Sequence, residues 1–327
     1  MSRRNKKKFR PKRAIAFVIF NIIFAVLLAP FVLFWGPFQA LKVVAVGSVA
    51  TSRHPWVARL FLSQAQIEQI TQSNSQGSAP NSTVDIKRQK DATDPSAGIE
   101  IEDISGPGFK GKVMLIHDPT RVKVAVTKYL GVKGERVTDF VKDTGAIAGI
   151  NGGAFYDPNG EGSGGFPDGL TVHNGVLVHN NVGNGPADDL VGINDKGKLI
   201  IQKMTAAQLA SNHIEEAVTF APPLILNGQP QIVGDGGWGI APRTGIGQTA
   251  DGTIIFVVID GRQPTWSIGA TLHDLMNVFM DYHAVNAVNL DGGSSSEMVY
   301  NGKVLNKLWD VFGERYIPTA FVVMPES

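Results

Sequence analysis

Hydrophobic and polar positions divide the chain into three textures. Ala14 to Trp35 is a run of 22 residues in which Asn21 is the only strongly polar one. That run predicts a helix long enough to cross about 30 Å of hydrocarbon. Between Pro55 and Ile70, Trp56, Leu60, Ala65 and Ile67 lie among polar residues, which predicts a helix serving as a stalk or lying near a membrane surface. Gln72 to Ala97 is rich in Ser, Asn, Gln, Asp, Pro and Lys. Such a stretch cannot offset its ordering entropy by burial and reads as a flexible linker.

After Gly98 apolar runs of strand length alternate with turn dipeptides. Asn174-Gly175 separates Leu170–His173 from Val176–Val178, and Asn227-Gly228 separates Leu224–Leu226 from Gln231–Val233. Asn301-Gly302 separates Met298–Tyr300 from Val304-Leu305. Each is a hairpin signal, because Asn and Gly accept the positive φ angles of a two-residue turn. Thr253–Ile259 follows Asp251-Gly252 and is apolar enough for a strand buried on both faces. Thr138–Thr144 reads as a short helix. Leu272–Asp281 is a stronger one, with Leu272, Leu275, Met276 and Phe279 on one face. The expected fold is α+β: a largely antiparallel mixed sheet with a few packing helices, preceded by one transmembrane helix. The expected organisation is a basic tail (1–13), an anchor (14–35), a juxtamembrane stalk (36–71), a linker (72–97) and a main domain (98–327).

Charge adds an orientation. The first thirteen residues carry eight basic side chains and no acidic one. Lys and Arg beside a span stay on the cytoplasmic side, so the main domain is expected outside the cell membrane. A cleaved signal peptide, with Val44-Ala45-Val46-Gly47 as a small-residue site, is the alternative. The whole-chain charge of +1 hides a net −7 for residues 14–327. That balance argues against a nucleic-acid partner, which would need a basic face. The absence of cysteine removes thiolate catalysis and Cys-ligated zinc.

Two apolar strands end alike. Ala146–Ile150 runs into Asn151-Gly152-Gly153, and Val285–Leu290 runs into Asp291-Gly292-Gly293. Paired glycines let the backbone turn tightly and approach a ligand, while the polar residue stands at a rigid strand end. A plain Asx turn is the competing reading. Arg243 precedes Gly245-Ile246-Gly247, and Asp260-Gly261-Arg262 follows the buried strand. Two Arg and two Asp at strand ends suit an anionic substrate or a structural ion-pair network. The chain holds no GxxxxGK[ST], HExxH, GxSxG or CxxC, and its seven histidines show no metal spacing. His173 and His179 flank one hairpin. A divalent ion on Asp291, Glu297 or backbone carbonyls stays open as an alternative.

Gly149-Ile150-Asn151-Gly152-Gly153-Ala154-Phe155, Arg243-Thr244-Gly245-Ile246-Gly247, Asp260-Gly261-Arg262, Gly269-Ala270-Thr271-Leu272 and Asn289-Leu290-Asp291-Gly292-Gly293-Ser294-Ser295 together resemble the phosphodiester glycosidase family. That family includes N-acetylglucosamine-1-phosphodiester α-N-acetylglucosaminidase domains and bacterial members linked to exopolysaccharide biosynthesis. The resemblance covers roughly residues 100–325. It implies hydrolysis of a sugar-1-phosphodiester on the sugar side, with no required cofactor. Its partners would be a sugar-phosphate glycan or cell-wall polymer. On this resemblance Asp260 and Asp291 stabilise an oxocarbenium-like sugar or activate water. Arg243 and Arg262 hold the phosphate, and Asn151 orients sugar hydroxyls. Gly152, Gly153, Gly292, Gly293, Ser294 and Ser295 line the substrate. Ala154 stands where the family often has a second aromatic. A non-catalytic polysaccharide-binding domain is the alternative function, with Trp238 and Trp266 as platforms in either case.

Overall fold

The computed structural model describes residues 11–50, 55–72, 87–94, 98–157, 162–310 and 312–326. Helix Pro11–Trp35 contains the apolar run, and its stretch Ile15–Trp35 is long and apolar enough to span a bilayer. Three helices follow where a stalk was expected: Gln39–Ala50, Trp56–Arg59 and Gln64–Gln72. The helix expected over 55–70 is thus interrupted. Ser63 restarts it: its backbone N–H donates to Gln66 Oε1 at 2.9 Å, and Gln66 N–H reaches back to the Ser63 hydroxyl at 3.4 Å, a capping box.

The main domain is built from three sheets whose strand pairs all run antiparallel among the described residues. The central sheet has eight strands in the order 87–94, 99–106, 109–116, 254–259, 243–249, 284–290, 223–226, 229–230. A second sheet runs 176–180, 170–173, 214–219, 186–194, 199–205, and a third runs 303–304, 298–300, 148–151, 319–323, 122–126. Ile254–Ile259 shows why the central sheet is sandwiched. Ile254, Phe256 and Val258 enter the core shared with the other two sheets. Ile255, Val257 and Ile259 enter a second core beneath helix Leu272–Asp281. Thr271 starts that helix with a reciprocal capping pair to Asp274. Phe279 lies against Gly245 and Gly247, where an added Cβ would stand 2.8 Å and 2.7 Å from its ring. The two glycines of that strand therefore make room for an aromatic ring, and not for a ligand. Helix Val137–Thr144 covers the far face of the third sheet through Val137, Phe140 and Val141.

All three Asn-Gly hairpins form, with Asn174, Asn227 and Asn301 at φ of 48°, 51° and 49°. The linker reading needs correction in part. Residues 73–86 and 95–97 lie outside the described residues, but Lys87–Asp94 is an edge strand paired with Ile99–Gly106. The segment is polar because it is an edge. Its order comes from backbone bonds to a neighbouring strand.

Candidate active site

Strand polarity brings the sequence-identified residues to one end of the domain. Arg243 pairs with Ile259 and Thr244 with Leu290, so Arg243, Asp260 and Asp291 share one end of the central sheet. Asn151 ends a strand of the third sheet and meets the same place. Its Nδ2 donates to the Asp291 carbonyl at 2.5 Å, and its Oδ1 accepts from the Thr244 hydroxyl at 2.8 Å and Glu297 N–H at 3.2 Å. The two Asx-Gly-Gly strand ends are thus tied to each other. Asn151 is wholly buried and its amide is used inside the protein, so it braces the site instead of facing a sugar. Gly152 and Gly153 likewise serve packing: a Cβ on either would press on Thr319 or on Val218 and Thr219. Gly293, at φ 62°, donates its N–H to the Pro242 carbonyl at 2.9 Å. A Cβ added at Gly292 would stand 2.9 Å from that same carbonyl oxygen.

The two aspartates have different surroundings. Asp291 Oδ2 is buried without a hydrogen-bond partner among the described residues. Burial raises this carboxyl to about 6, against the pull of the Ser295 hydroxyl and of Arg315. Asp260 is also buried, and burial raises its carboxyl as well. But Asp260 is held on both oxygens. Oδ2 accepts from Trp266 Nε1 at 2.7 Å, and Oδ1 accepts from Lys307 N–H at 3.0 Å and Asn306 Nδ2 at 3.2 Å. Asn306 also donates to the Ser296 carbonyl at 3.1 Å, which connects Asp260 to the Asp291 loop. Asp260, Trp266, Lys110 and Lys307 line a cavity of about 750 Å³, and Lys110 Nζ sits 3.9 Å from the centre of the Trp266 ring.

The arginines also diverge. Arg243 is buried, donating from Nε to the Ala270 carbonyl and from one Nη to the carbonyls of Trp238 and Gly239. Burial, then the charge of Arg262, lowers it to about 10. Its fork holds backbone carbonyls of the same end of the domain. Arg262 stands beside Gly293 and 5.3 Å from the Trp309 ring centre. Its φ of 57° is a left-handed conformation uncommon for a side-chain-bearing residue.

Two members of the neighbourhood, Arg315 and Glu314, escaped the sequence reading, and a third was read there in another role. Arg315 pairs with Asp157 at 2.6 Å and lies over Phe155. Glu297, weighed only as an ion ligand, is buried, and its carboxyl is raised to about 9 by burial first and by Glu314 next. Glu314 in turn accepts from the Thr138 hydroxyl at 2.5 Å. The Glu314-Arg315 dipeptide just before strand Thr319–Val323 was the available signal. The two histidines of the hairpin have separate surroundings: His173 Nδ1 lies 3.3 Å from Glu216, and burial lowers His179 against the opposing pull of Asp168. No group of three or more His, Asp or Glu among the described residues is arranged to hold a metal ion.

Antiparallel sheets thus carry a cluster of two aspartates and two arginines at one end of the domain. The profile of the phosphodiester glycosidase family matches residues 144–324, and the chain belongs to that family. A prophage-derived uncharacterized protein of Bacillus subtilis, YomE, is 27% identical over 219 residues, covering 64% of this chain and 32% of its own length. The chain therefore spans about a third of that relative. The catalytic domain of zebrafish N-acetylglucosamine-1-phosphodiester α-N-acetylglucosaminidase, auto-inhibited by its pro-peptide, superposes with a TM-score of 0.58 at 20% identity. That match covers 78% of this chain and 98% of the zebrafish one. A hypothetical protein from Synechocystis superposes at 0.56 with 16% identity, covering 70% and 62% of the two chains.

Proposed function

We propose that the protein hydrolyses a sugar-1-phosphodiester on the sugar side, releasing the sugar and leaving a phosphomonoester. The observation that carries this is the Asp291 carboxyl, buried, unpartnered on Oδ2 and raised to about 6, within a family of phosphodiester glycosidases. Above that pH it is a carboxylate held in a poorly solvated place, where negative charge best stabilises a developing oxocarbenium-like centre. Arg262 would hold the phosphate as the C1–O bond breaks and charge collects on the leaving group. Asp260, fixed by Trp266, Asn306 and Lys307, orients the adjoining loop. The reading needs no resident metal, and chelator treatment is expected to leave turnover unchanged. The N-terminal span would place the domain outside the cytoplasm, where glycans and cell-wall polymers carry such linkages.

Exposed aromatic residues favour a glycan over a small ester. Tyr129, Tyr156, Phe166, Trp309, Phe312 and Tyr316 are all exposed. Their loops are joined by Gly131 N–H to the Gly165 carbonyl, Tyr156 N–H to the Phe166 carbonyl and the Arg315–Asp157 pair. Aromatic faces of this kind stack on sugar rings in an enzyme and in a binding module alike. Release of free sugar by purified protein from a synthetic N-acetylglucosamine-1-phosphodiester, abolished in Asp291→Asn, is the expected result. Polysaccharide binding without turnover on any sugar phosphodiester would overturn the enzyme reading.

A further inference from the structure

The helices after the span are not a free stalk. Trp35 Nε1 donates to the Phe61 carbonyl at 3.0 Å, and the Phe34 and Phe61 rings stack with centroids 4.7 Å apart. Val46, Ala58, Leu62 and Ile67 close a small core with Phe34. The end of the span and the three short helices are therefore one packed unit. That unit docks on the main domain. The Ser48 hydroxyl accepts from Ile240 N–H at 2.9 Å. Gly47 is buried so closely that a Cβ there would collide with Gly237 and stand 2.6 Å from Gly239 N. The docking loop leads directly into Pro242 and Arg243, whose neighbours are Gly292 and Gly293. The docked end of the central sheet is thus the end that carries Asp260 and Asp291.

Only Gly36, Pro37 and Phe38 separate Trp35 from helix Gln39–Ala50, a reach of roughly 14 Å at full extension. A helix so tethered to a span cannot leave the membrane surface. Trp35, Phe38, Leu41, Trp56 and Leu60 are all exposed on this unit, and Trp beside long apolar side chains is what sits at the boundary of headgroups and acyl chains. We propose that helices Gln39–Ala50, Trp56–Arg59 and Gln64–Gln72 form an interfacial collar that seats on the bilayer and holds the site end of the domain against it, so that the substrate is a phosphodiester glycoside carried on the same membrane. The substrate half of this proposal rests on the hydrolase reading above; the collar does not.

The chain has no cysteine, so single labels are clean. Full-length protein with an environment-sensitive fluorophore at Leu60→Cys, or at Lys196→Cys near the opposite end of the central strands, is reconstituted in phosphatidylcholine–phosphatidylglycerol vesicles containing a brominated lipid. Quenching at position 60 and none at 196 is expected. Equal quenching, or a mature chain lacking the span by mass spectrometry, would overturn the collar. In the same vesicles, an N-acetylglucosamine-1-phosphodiester of a long-chain lipid should be cleaved at least about tenfold faster than its short-chain soluble analogue, as shared confinement raises effective concentration. Gly47→Leu should lose that preference while keeping turnover of the soluble analogue. Ser48→Ala, which adds no bulk, should move it the same way by less. Soluble turnover without any lipid preference would overturn the membrane substrate and leave the hydrolase reading intact. No turnover of either would sink the hydrolase reading, with the quenching result still deciding the collar.

Discussion

Asp260 and Asp291 arise from the same sequence device, an apolar strand followed by Asp-Gly, and the fold gives them opposite fates. Asp260 is satisfied on both oxygens by an indole, an amide and a backbone N–H. Asp291 keeps one buried oxygen without a partner, and burial lifts its carboxyl to about 6. A buried carboxylate oxygen without a partner is costly, and the Ser295 hydroxyl and Arg315 offset only part of that cost. On the proposed function, the contrast would separate a carboxylate that is part of the scaffold from one that acts on the substrate. It also shows that strand-end position alone does not assign a role: what surrounds the side chain does.

The sharpest way to break this contrast is Asp291→Asn. We expect kcat to fall by about 10³, the upper range for loss of a group that stabilises transition-state charge. We also expect the variant to be more stable at neutral pH. A carboxyl whose folded pKa lies above its unfolded value destabilises the fold progressively as pH rises from about 4 to 6, and fully beyond. Removing the charge should recover up to about 3 kcal/mol above pH 6, with the gap closing below pH 4. Thermal melts across pH measure this. A variant that loses both activity and stability at pH 7 would place Asp291 with Asp260 in the scaffold. Wild-type activity should itself rise through pH 6 as the carboxylate forms.

Arg262→Lys comes next. A point charge cannot replace a planar fork on a phosphate, and a loss of about 10² in kcat/KM is expected. Unchanged kcat/KM would move the anion site elsewhere. Asp260→Asn should act differently from both. Its new amide would meet donors from Trp266, Asn306 and Lys307, leaving at least one buried donor unmatched at about 1–3 kcal/mol. The rate should drop by roughly tenfold, short of the 10² that a 1 Å misplacement costs, and the melting temperature should fall. A larger rate loss than that of Asp291→Asn, at unchanged stability, would reverse the two roles.

What could be read from the chain followed local rules. The Asn-Gly hairpins, the buried strand 254–259 and the capped helix Leu272–Asp281 depend on neighbours within a few residues. The gathering of the Asp-Gly strand ends did not: strands 254–259 and 284–290 flank strand 243–249 on either side, run parallel to each other, and so end together. The rest depends on distant partners. Helix Gln39–Ala50 is apolar without a clear face and finds its place through Gly47 and Ser48 against residues 237–240. The edge strand Lys87–Asp94 borrows its order from Ile99–Gly106. Asn151 and Arg243 were expected to face the substrate, and only the packed structure shows that both side chains bond inward. The Arg315–Asp157 pair joins residues far apart in sequence, and no spacing rule connects them.

The finest test concerns Glu297, which shares the Asp291 neighbourhood without sharing its state. Asn151 links their backbones, through the Asp291 carbonyl and the Glu297 N–H. Burial, then the nearby Glu314, raises Glu297 to about 9. It is therefore protonated at neutral pH, where Asp291 is ionised. Glu297→Gln replaces a neutral carboxyl by a neutral amide of the same shape and should leave the rate at pH 7 nearly unchanged. Its effect should appear in stability instead. The folded wild type binds a proton between about pH 4.5 and 9 that the unfolded chain has released, so its stability declines as pH rises through that window. The Gln variant lacks this decline, and its melting temperature should exceed that of wild type by a margin growing up to pH 9. A large rate loss at pH 7 with no change in the pH slope would mean that Glu297 is ionised beside Asp291. In that case the two carboxylates would act as a pair, and the single poised group would have to be given up.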